Sequence, residues 1–322
     1  MQIRNSNIDI LKIVMAFLVI ALHIFPVSGI DGIEGLISYE IANGITRIAV
    51  PTFFIISGYF LRNKLQDKKY LSKYAGRILL LYLVWQLIYL PDLIRFYNLG
   101  RFSTTDAILK LVYGYWHLWY LLATFLAVFL LYFSRNWSLN LKCFAIVSLL
   151  FFGYGFQLLH QADFFKHYES LRNIYLFIGT TRNFLFLAFP TMLIGTLYED
   201  WKPKVLKMKG LLFPLFFGLL LENYWYYLHF VKALDFLLLL IPTCMILFCF
   251  VNESKTITNI KFNTTLSLGI YLCHPYAIRL VYEYLPQKTF ESVVLKYFMI
   301  SILAVLIWWI LEKINRKFPY LL

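Results

Sequence analysis

Charge is what this sequence has least of. Only 15% of its 322 residues are Asp, Glu, Lys or Arg, against roughly 25% in soluble domains. Acidic residues are the scarcer sign, 17 against 30 basic ones, which leaves a net charge of +13. The stretches between apolar runs are too short to hold a folded soluble domain. The four cysteines (Cys143, Cys244, Cys249 and Cys273) lie in or beside apolar runs and lack the paired spacing of a zinc site. They read as small buried hydrophobes, and no metal is expected. A cleavable signal peptide is not expected either: Asp9 and Lys12 interrupt the first apolar run, and no small-residue cleavage site follows. No internal repeat, low-complexity segment or pair of broken helices of the transporter kind is visible.

What fills the chain instead is apolar, 61% of all residues. It comes in runs of about 18 or more with few charges, the length that crosses a hydrocarbon core of ~30 Å as a helix. In lipid each backbone polar group needs a partner within the protein, which a helix supplies segment by segment; a barrel strand would alternate instead. The expected fold is therefore all-α, a polytopic bundle of ten transmembrane helices forming one domain over 1–322. The segments are 8–26, 44–61, 74–90, 117–134, 141–159, 174–197, 211–228, 233–251, 264–283 and 294–312. The expected setting is the plasma membrane of a bacterial cell, with lipid as the constant partner and a homo-oligomer as an allowed assembly.

The positive charge in such a chain points to topology and anionic lipid head groups rather than to nucleic acid. With the N-terminus in the cytoplasm, eighteen Lys and Arg fall in inside pieces and seven in outside pieces. The inside set includes Arg4, Lys261 and the run Arg62, Lys64, Lys68, Lys69, Lys73 and Arg77; the outside set includes Arg172, Lys232 and Lys288. That excess predicts cytoplasmic ends and an even number of spans. A basic inner loop can also attract an anionic cytoplasmic cofactor.

Ionisable groups inside spans cost about 2.5–3.5 kcal/mol each at a helix centre, so they are functional candidates. The first span holds Asn7, Asp9, Lys12 and His23. Lys12 and His23 are eleven residues apart, close to three full turns, so they share a face and sit ~16 Å apart along the axis. Asp9 is within pairing reach of Lys12. An ion pair at the interface and a histidine bonded to a neighbouring helix would be the purely structural account. The second span carries Pro51 and then Ser57-Gly58, a small surface for close helix packing. The fourth opens Tyr115-Trp116-His117-Leu118-Trp119-Tyr120, interface aromatics with a histidine among them. In the ninth, Ser267, Tyr271 and His274 share a helix face. Glu312 closes the tenth beside Lys313, most simply as an interfacial anchor.

In this order the pieces resemble the integral membrane acyltransferases of acyltransferase family 3. Lys12 followed by His23 resembles the family's first-span motif: a basic residue, ten residues, then His. Val50 to Leu61 is similar to its second-span phrase ending in Ser-Gly-Tyr. His117-Leu118-Trp119-Tyr120, Ser267 to His274, and Glu312-Lys313 resemble three further motifs. One departure stands out: the family often has two arginines one residue apart before the third span, and here Arg77 has only Ala75 and Leu79 at those spacings. Many members carry an extra hydrolase-like domain, which is not expected here.

The resemblance implies transfer of an acyl group, usually acetyl from acetyl-CoA, to a hydroxyl of a cell-surface glycan or lipid-linked sugar. Acyl-CoA is the implied donor substrate. The implied donor-binding residues are Lys12, Lys73 and Arg77, whose charges suit the CoA phosphates. The implied catalytic residues are His23 as general base, His274 orienting the acyl group or stabilising the oxyanion, and His117 at the acceptor. Asp9, Ser57, Ser267, Tyr271 and Glu312 support the site. Two other readings compete. One is a transporter or exporter, of an amino acid or of an acylated or glycan precursor, since intramembrane ionisable groups also serve proton relays; related chains occur as membrane parts of serine and alanine racemases. The other is a membrane scaffold, in which His23 would be dispensable.

The topology has its own test. A cysteine introduced in the 62–77 loop is expected to react with membrane-impermeant reagent from the cytoplasmic side only. Labelling from outside would overturn the topology and the assignment of His23 to the outer half.

Overall fold

The computed structural model describes residues 5–162, 164–168, 170, 181–230, 236–255, 262–287 and 289–322. The first residues of the expected segments 174–197 and 233–251 lie outside these, as do Arg4, Arg172, Lys232, Lys261 and Lys288. Among the described residues there is no strand. Among the described residues, and apart from short 3-10 turns at Phe164–His167 and Lys209–Leu211, twelve helical stretches follow in order: α1 (Ser6–Ile24), α2 (Gly32–Lys64), α3 (Lys68–Asn98), α4 (Thr104–Tyr113), α5 (Trp119–Ser134), α6 (Leu139–Gln161), α7 (Phe184–Thr196), α8 (Tyr198–Lys207), α9 (Leu212–His229), α10 (Leu240–Glu253), α11 (Leu266–Tyr284) and α12 (Phe290–Asn315). Each expected segment overlaps one of these helices among the described residues. Five of them, α1, α2, α3, α6 and α12, are long and apolar enough to cross a membrane, and α5, α7 and α10 are shorter apolar helices.

Where the helices begin is written in their caps. Asn5, Asp67, Ser138 and Thr289 each accept a backbone N–H of the first turn, and Ser103 and Asp106 form a reciprocal capping box on α4. Asn183 takes two, from Leu185 (2.9 Å) and Phe186 (2.8 Å). Two stretches run longer than expected. α2 starts at Gly32 rather than 44, because a π-helical turn over Glu40–Gly44 carries the helix through residues that lie outside the expected segments and include Glu34 and Glu40. α3 runs on past residue 90, through Pro91 to Asn98; neighbouring helices make such a proline tolerable in a membrane bundle.

The outward faces explain the solvent this fold needs. On α6, Phe144, Val147 and Phe151 are each about two-thirds or more exposed, at 70%, 67% and 70%. Phe213, Phe217, Phe298 and Ile302 are likewise more than half exposed on α9 and α12. Contiguous apolar surface of this extent is foreign to soluble monomers and suits hydrocarbon.

The polar groups turn inward. α1 is central, packed against α2, α10, α11 and α12. At its start Asn7 is 1% exposed, and its Nδ2 donates to the carbonyls of Val251, Ser254 and Lys255. These are carbonyls that the end of α10 leaves open. At the other end of the bundle Tyr89 of α3 donates to Leu272 (2.8 Å) and Tyr276 of α11 to Ile88 (2.7 Å), beside the ion pair of Asp92 with Arg279.

The pair α2 and α7 meets most closely. A Cβ on Gly58 would run into the Met192 carbonyl, and one on Gly195 into the Ile55 carbonyl. The small surface at Ser57-Gly58 is thus a backbone-to-backbone contact. Gly58→Ala and Gly195→Ala are each expected to destabilise the purified protein by about 1–3 kcal/mol, the range for overpacking, read as a lower midpoint of thermal unfolding in detergent. Gly155→Ala on α6, where a Cβ meets nothing, is the control and is expected to leave the midpoint unchanged or raised.

Candidate active site

Three histidines from three distant parts of the chain converge. His23 lies on the last turn of α1, His117 just before α5, and His274 in the middle of α11. The His23 ring stacks on His274, with centroids 5.2 Å apart and planes 24° apart. His117 meets the same ring edge-on at 4.9 Å and 66°. His274 and His117 are buried, and His23 is half-buried.

Local structure sets each ring. His274 is fully enclosed, and its Nδ1 lies 2.7 Å from the Tyr271 carbonyl one turn back. A carbonyl only accepts, so Nδ1 carries the proton in the neutral ring and Nε2 presents a lone pair. His117 is aimed inward by a sharp turn between α4 and α5. There Gly114 has φ +102°, and Trp116, a bulky residue, holds φ +58°, a conformation costing of order 1–3 kcal/mol. The Tyr271 hydroxyl donates to the His117 carbonyl and fixes this turn against α11. The Trp116 ring in turn sits 5.6 Å from His23.

The nitrogens left over are informative. Neither ring nitrogen of His117 nor Nε2 of His274 has a hydrogen-bond partner among the described residues. Each such buried group costs about 1–3 kcal/mol, and a cluster of them marks a place where something binds. His117 borders a small cavity of ≈ 40 Å³ together with His23, Tyr120, Tyr271, Arg47 and Arg182; His274 is not among its described lining residues and packs against both other histidines. The cavity has room for a few waters or one small functional group, at ~10–15 Å³ for each water.

The other expected residues divide. Asp9 and Lys12 pair at 3.1 Å, eleven residues of unbroken helix from His23. Ser267 is buried on the His274 face of α11, two turns nearer the start of that helix. Ser57 donates to the Phe53 carbonyl at 2.9 Å within α2. Lys73 and Arg77 are exposed on α3, and Arg77 donates to the Leu322 carbonyl at 3.1 Å. No hydrogen bond or ion pair among the described residues draws Lys73 or Arg77 to Lys12. Glu312 pairs with Arg316 (3.1 Å) and Asn263 (3.3 Å), not with Lys313, whose ammonium lies 3.3 Å over the Trp309 ring. It anchors the end of α12 to the segment before α11.

Two cavity residues had no role assigned from sequence, Arg47 and Arg182. Their signal was an arginine inside or at the edge of an apolar run. Arg47 is held by Asn43, whose Oδ1 accepts from Nε (3.0 Å) and Nη2 (2.7 Å). Asn43 donates to Asn223 (2.8 Å), which donates to Glu40 (3.0 Å).

Comparison with known proteins bears on this constellation. An amino-acid racemase of Enterococcus faecalis is 26% identical over 98% of this chain and 47% of its own length. A serine/alanine racemase of Enterococcus gallinarum is also 26% identical, over 94% of this chain and 45% of its own. The chain therefore spans about half the length of these relatives. No solved structure matches. The model of the acyltransferase domain matches residues 5–313, from the cap of α1 to the last turn of α12, and the chain that folds these three histidines together belongs to acyltransferase family 3.

Proposed function

We propose that this protein is a membrane acyltransferase with ten spans and both termini in the cytoplasm. It moves an acyl group, acetyl in the simplest case, from cytoplasmic acyl-CoA to a hydroxyl of a cell-surface glycan or lipid-linked sugar. The observation that carries the reading is the packing of His23, His117 and His274 against one another, with His23 and His117 bordering one cavity and His23 on the helix whose other end holds the Lys12–Asp9 pair.

The chemistry follows from the rings. His23 takes the proton of the acceptor hydroxyl as its oxygen attacks the thioester carbon. The carbon–sulfur bond then breaks, and the imidazolium returns the proton to the departing thiolate, giving an ester and free CoA. The developing oxyanion needs donors. His117, which borders the cavity and has two buried ring nitrogens, carries one N–H in either neutral tautomer and is the proposed donor. Neutral His274 presents only a lone pair at Nε2, because its proton is committed to the Tyr271 carbonyl. It therefore stabilises an oxyanion only as an imidazolium, and otherwise serves by stacking to hold His23 in place. Lys12, Lys73 and Arg77 are the proposed contacts for the CoA phosphates. Lys12 is the first of them, because it shares α1 with the base.

A second reading draws on the relatives. Their names concern amino acids, and this chain matches about half of each. In that reading the bundle carries a small amino acid across the membrane and the histidines relay protons.

One experiment separates the two. His23→Ala and His23→Gln are purified beside the wild type, and acyl transfer from labelled acetyl-CoA is measured at saturating donor. Loss of the general base is expected to cost roughly 10²–10⁴ in rate with folding intact. Near wild-type transfer by both variants would show that His23 is not the base; no transfer by any form, the wild type included, would count against the enzyme and favour the second reading.

A further inference from the structure

Resting on the acyltransferase reading, we infer that Trp116 is the docking platform for the acceptor: its exposed indole takes the apolar face of a pyranose ring and holds it beside His23. Among the described residues Trp116 is the one non-glycine residue with a positive φ, +58°. A left-handed backbone under a bulky side chain persists only where the surroundings over-determine it. Here they do. The Tyr115 N–H donates to Gln86 Oε1 of α3 at 3.1 Å, and Gln86 Nε2 donates to the Lys110 carbonyl at 2.9 Å. The Leu118 N–H donates to the Tyr115 carbonyl at 3.1 Å, and the Tyr271 hydroxyl of α11 to the His117 carbonyl.

The aim of His117 explains the turn but not the tryptophan. Glycine takes a positive φ without strain and would serve that aim as well. Anchoring in the membrane interface does not explain it either, since Trp225 of α9 and Trp309 of α12 are about as exposed on ordinary helical backbone. What sets Trp116 apart is its neighbour. Its ring centre lies 5.6 Å from that of His23, with the planes 36° apart. At that offset the indole flanks the imidazole rather than covering it, and His23 keeps part of its surface open. Trp116 is not among the described residues that border the ≈ 40 Å³ cavity, which is too small for a sugar. The cavity is thus left to the acyl group, and the indole to the acceptor. One face of a pyranose presents weakly positive C–H groups, which the negative face of an indole attracts. A ring laid there spans the distance between the two centres, so a hydroxyl on its edge is brought to His23 and held for attack. An acyclic polyol has no such face.

The probes are methyl β-D-glucopyranoside and meso-erythritol, an acyclic polyol, each added to the purified full chain in a sugar-free detergent. Binding is read by saturation transfer from protein to ligand in NMR, and acyl transfer from labelled acetyl-CoA is read on the same preparations. The glucoside is expected to receive saturation on its ring C–H protons, and erythritol none. Trp116→Gly and Trp116→Phe separate the two roles of the residue. A turn that only aims His117 ranks Gly first, because Gly relieves the strain. A docking platform ranks Phe first. Gly is then expected to weaken glucoside binding and raise the glucoside KM about tenfold or more, as for loss of one stacking partner. The acetyl-CoA KM stays unchanged, and Phe recovers most of the loss. Equal binding of glucoside and erythritol, no binding of the glucoside, or a Gly variant that binds at least as well as Phe would overturn the proposal. Transfer to the glucoside at an unchanged KM in the Gly variant sinks the platform alone. Binding of the glucoside that depends on Trp116, without transfer by any form, sinks the acyltransferase reading and leaves a sugar site.

Discussion

An imidazole on a helix that faces hydrocarbon has nowhere to place its nitrogens except against another helix. That constraint organises this molecule. Water cannot satisfy polar groups in a bilayer core, so each span turns its few polar side chains inward, and they meet there. His23 stacks on His274 and His117 meets the same ring edge-on, Asn7 spends its amide on the open carbonyls at the end of α10, and Tyr89 and Tyr276 cross-link α3 to α11. The apolar residues do the opposite and cover the outside, as Phe144, Val147 and Phe151 do on α6. The packing that lets helices come close enough is backbone on backbone, through Gly58 and Gly195.

Because the same rule acts on every polar residue of a span, much of the site was legible before the fold. Each of the three histidines interrupts or borders an apolar run, and an expensive group in such a place has to face the interior. Spacing then paired Asp9 with Lys12, and the structure has that pair at 3.1 Å. The helices were legible from run length alone, although the π turn at Glu40–Gly44 and the passage of α3 through Pro91 were not. Loop-like charge and a proline mislead where tertiary contacts, here Asn223 on Glu40, hold the helix together.

What stayed hidden depended on the third dimension. Arg47 and Arg182 read as stray edge charges, because nothing in the order of residues says that α2 and the start of α7 border the cavity of α1. The inward aim of His117 rests on the left-handed backbone of Trp116, which no residue pattern announces for a tryptophan. The tautomer of His274 follows only from its distance to the Tyr271 carbonyl, and it redirects the oxyanion role toward His117. Glu312 was expected beside its neighbour Lys313, yet the helix turn carries it to Arg316 and Asn263.

The account joins a donor on one face of the membrane to an acceptor on the other through a single helix, with Lys12 near one end and His23 near the other. Sidedness is therefore its most direct test. Inside-out membrane vesicles expose the cytoplasmic face, and labelled acetyl-CoA, which does not cross a bilayer unaided, is supplied there. Label appearing in glycan or lipid-linked sugar sealed on the luminal side is the predicted result. Label confined to acceptors on the same face as the donor, or absent while the protein is folded and present, would contradict transfer through the bundle.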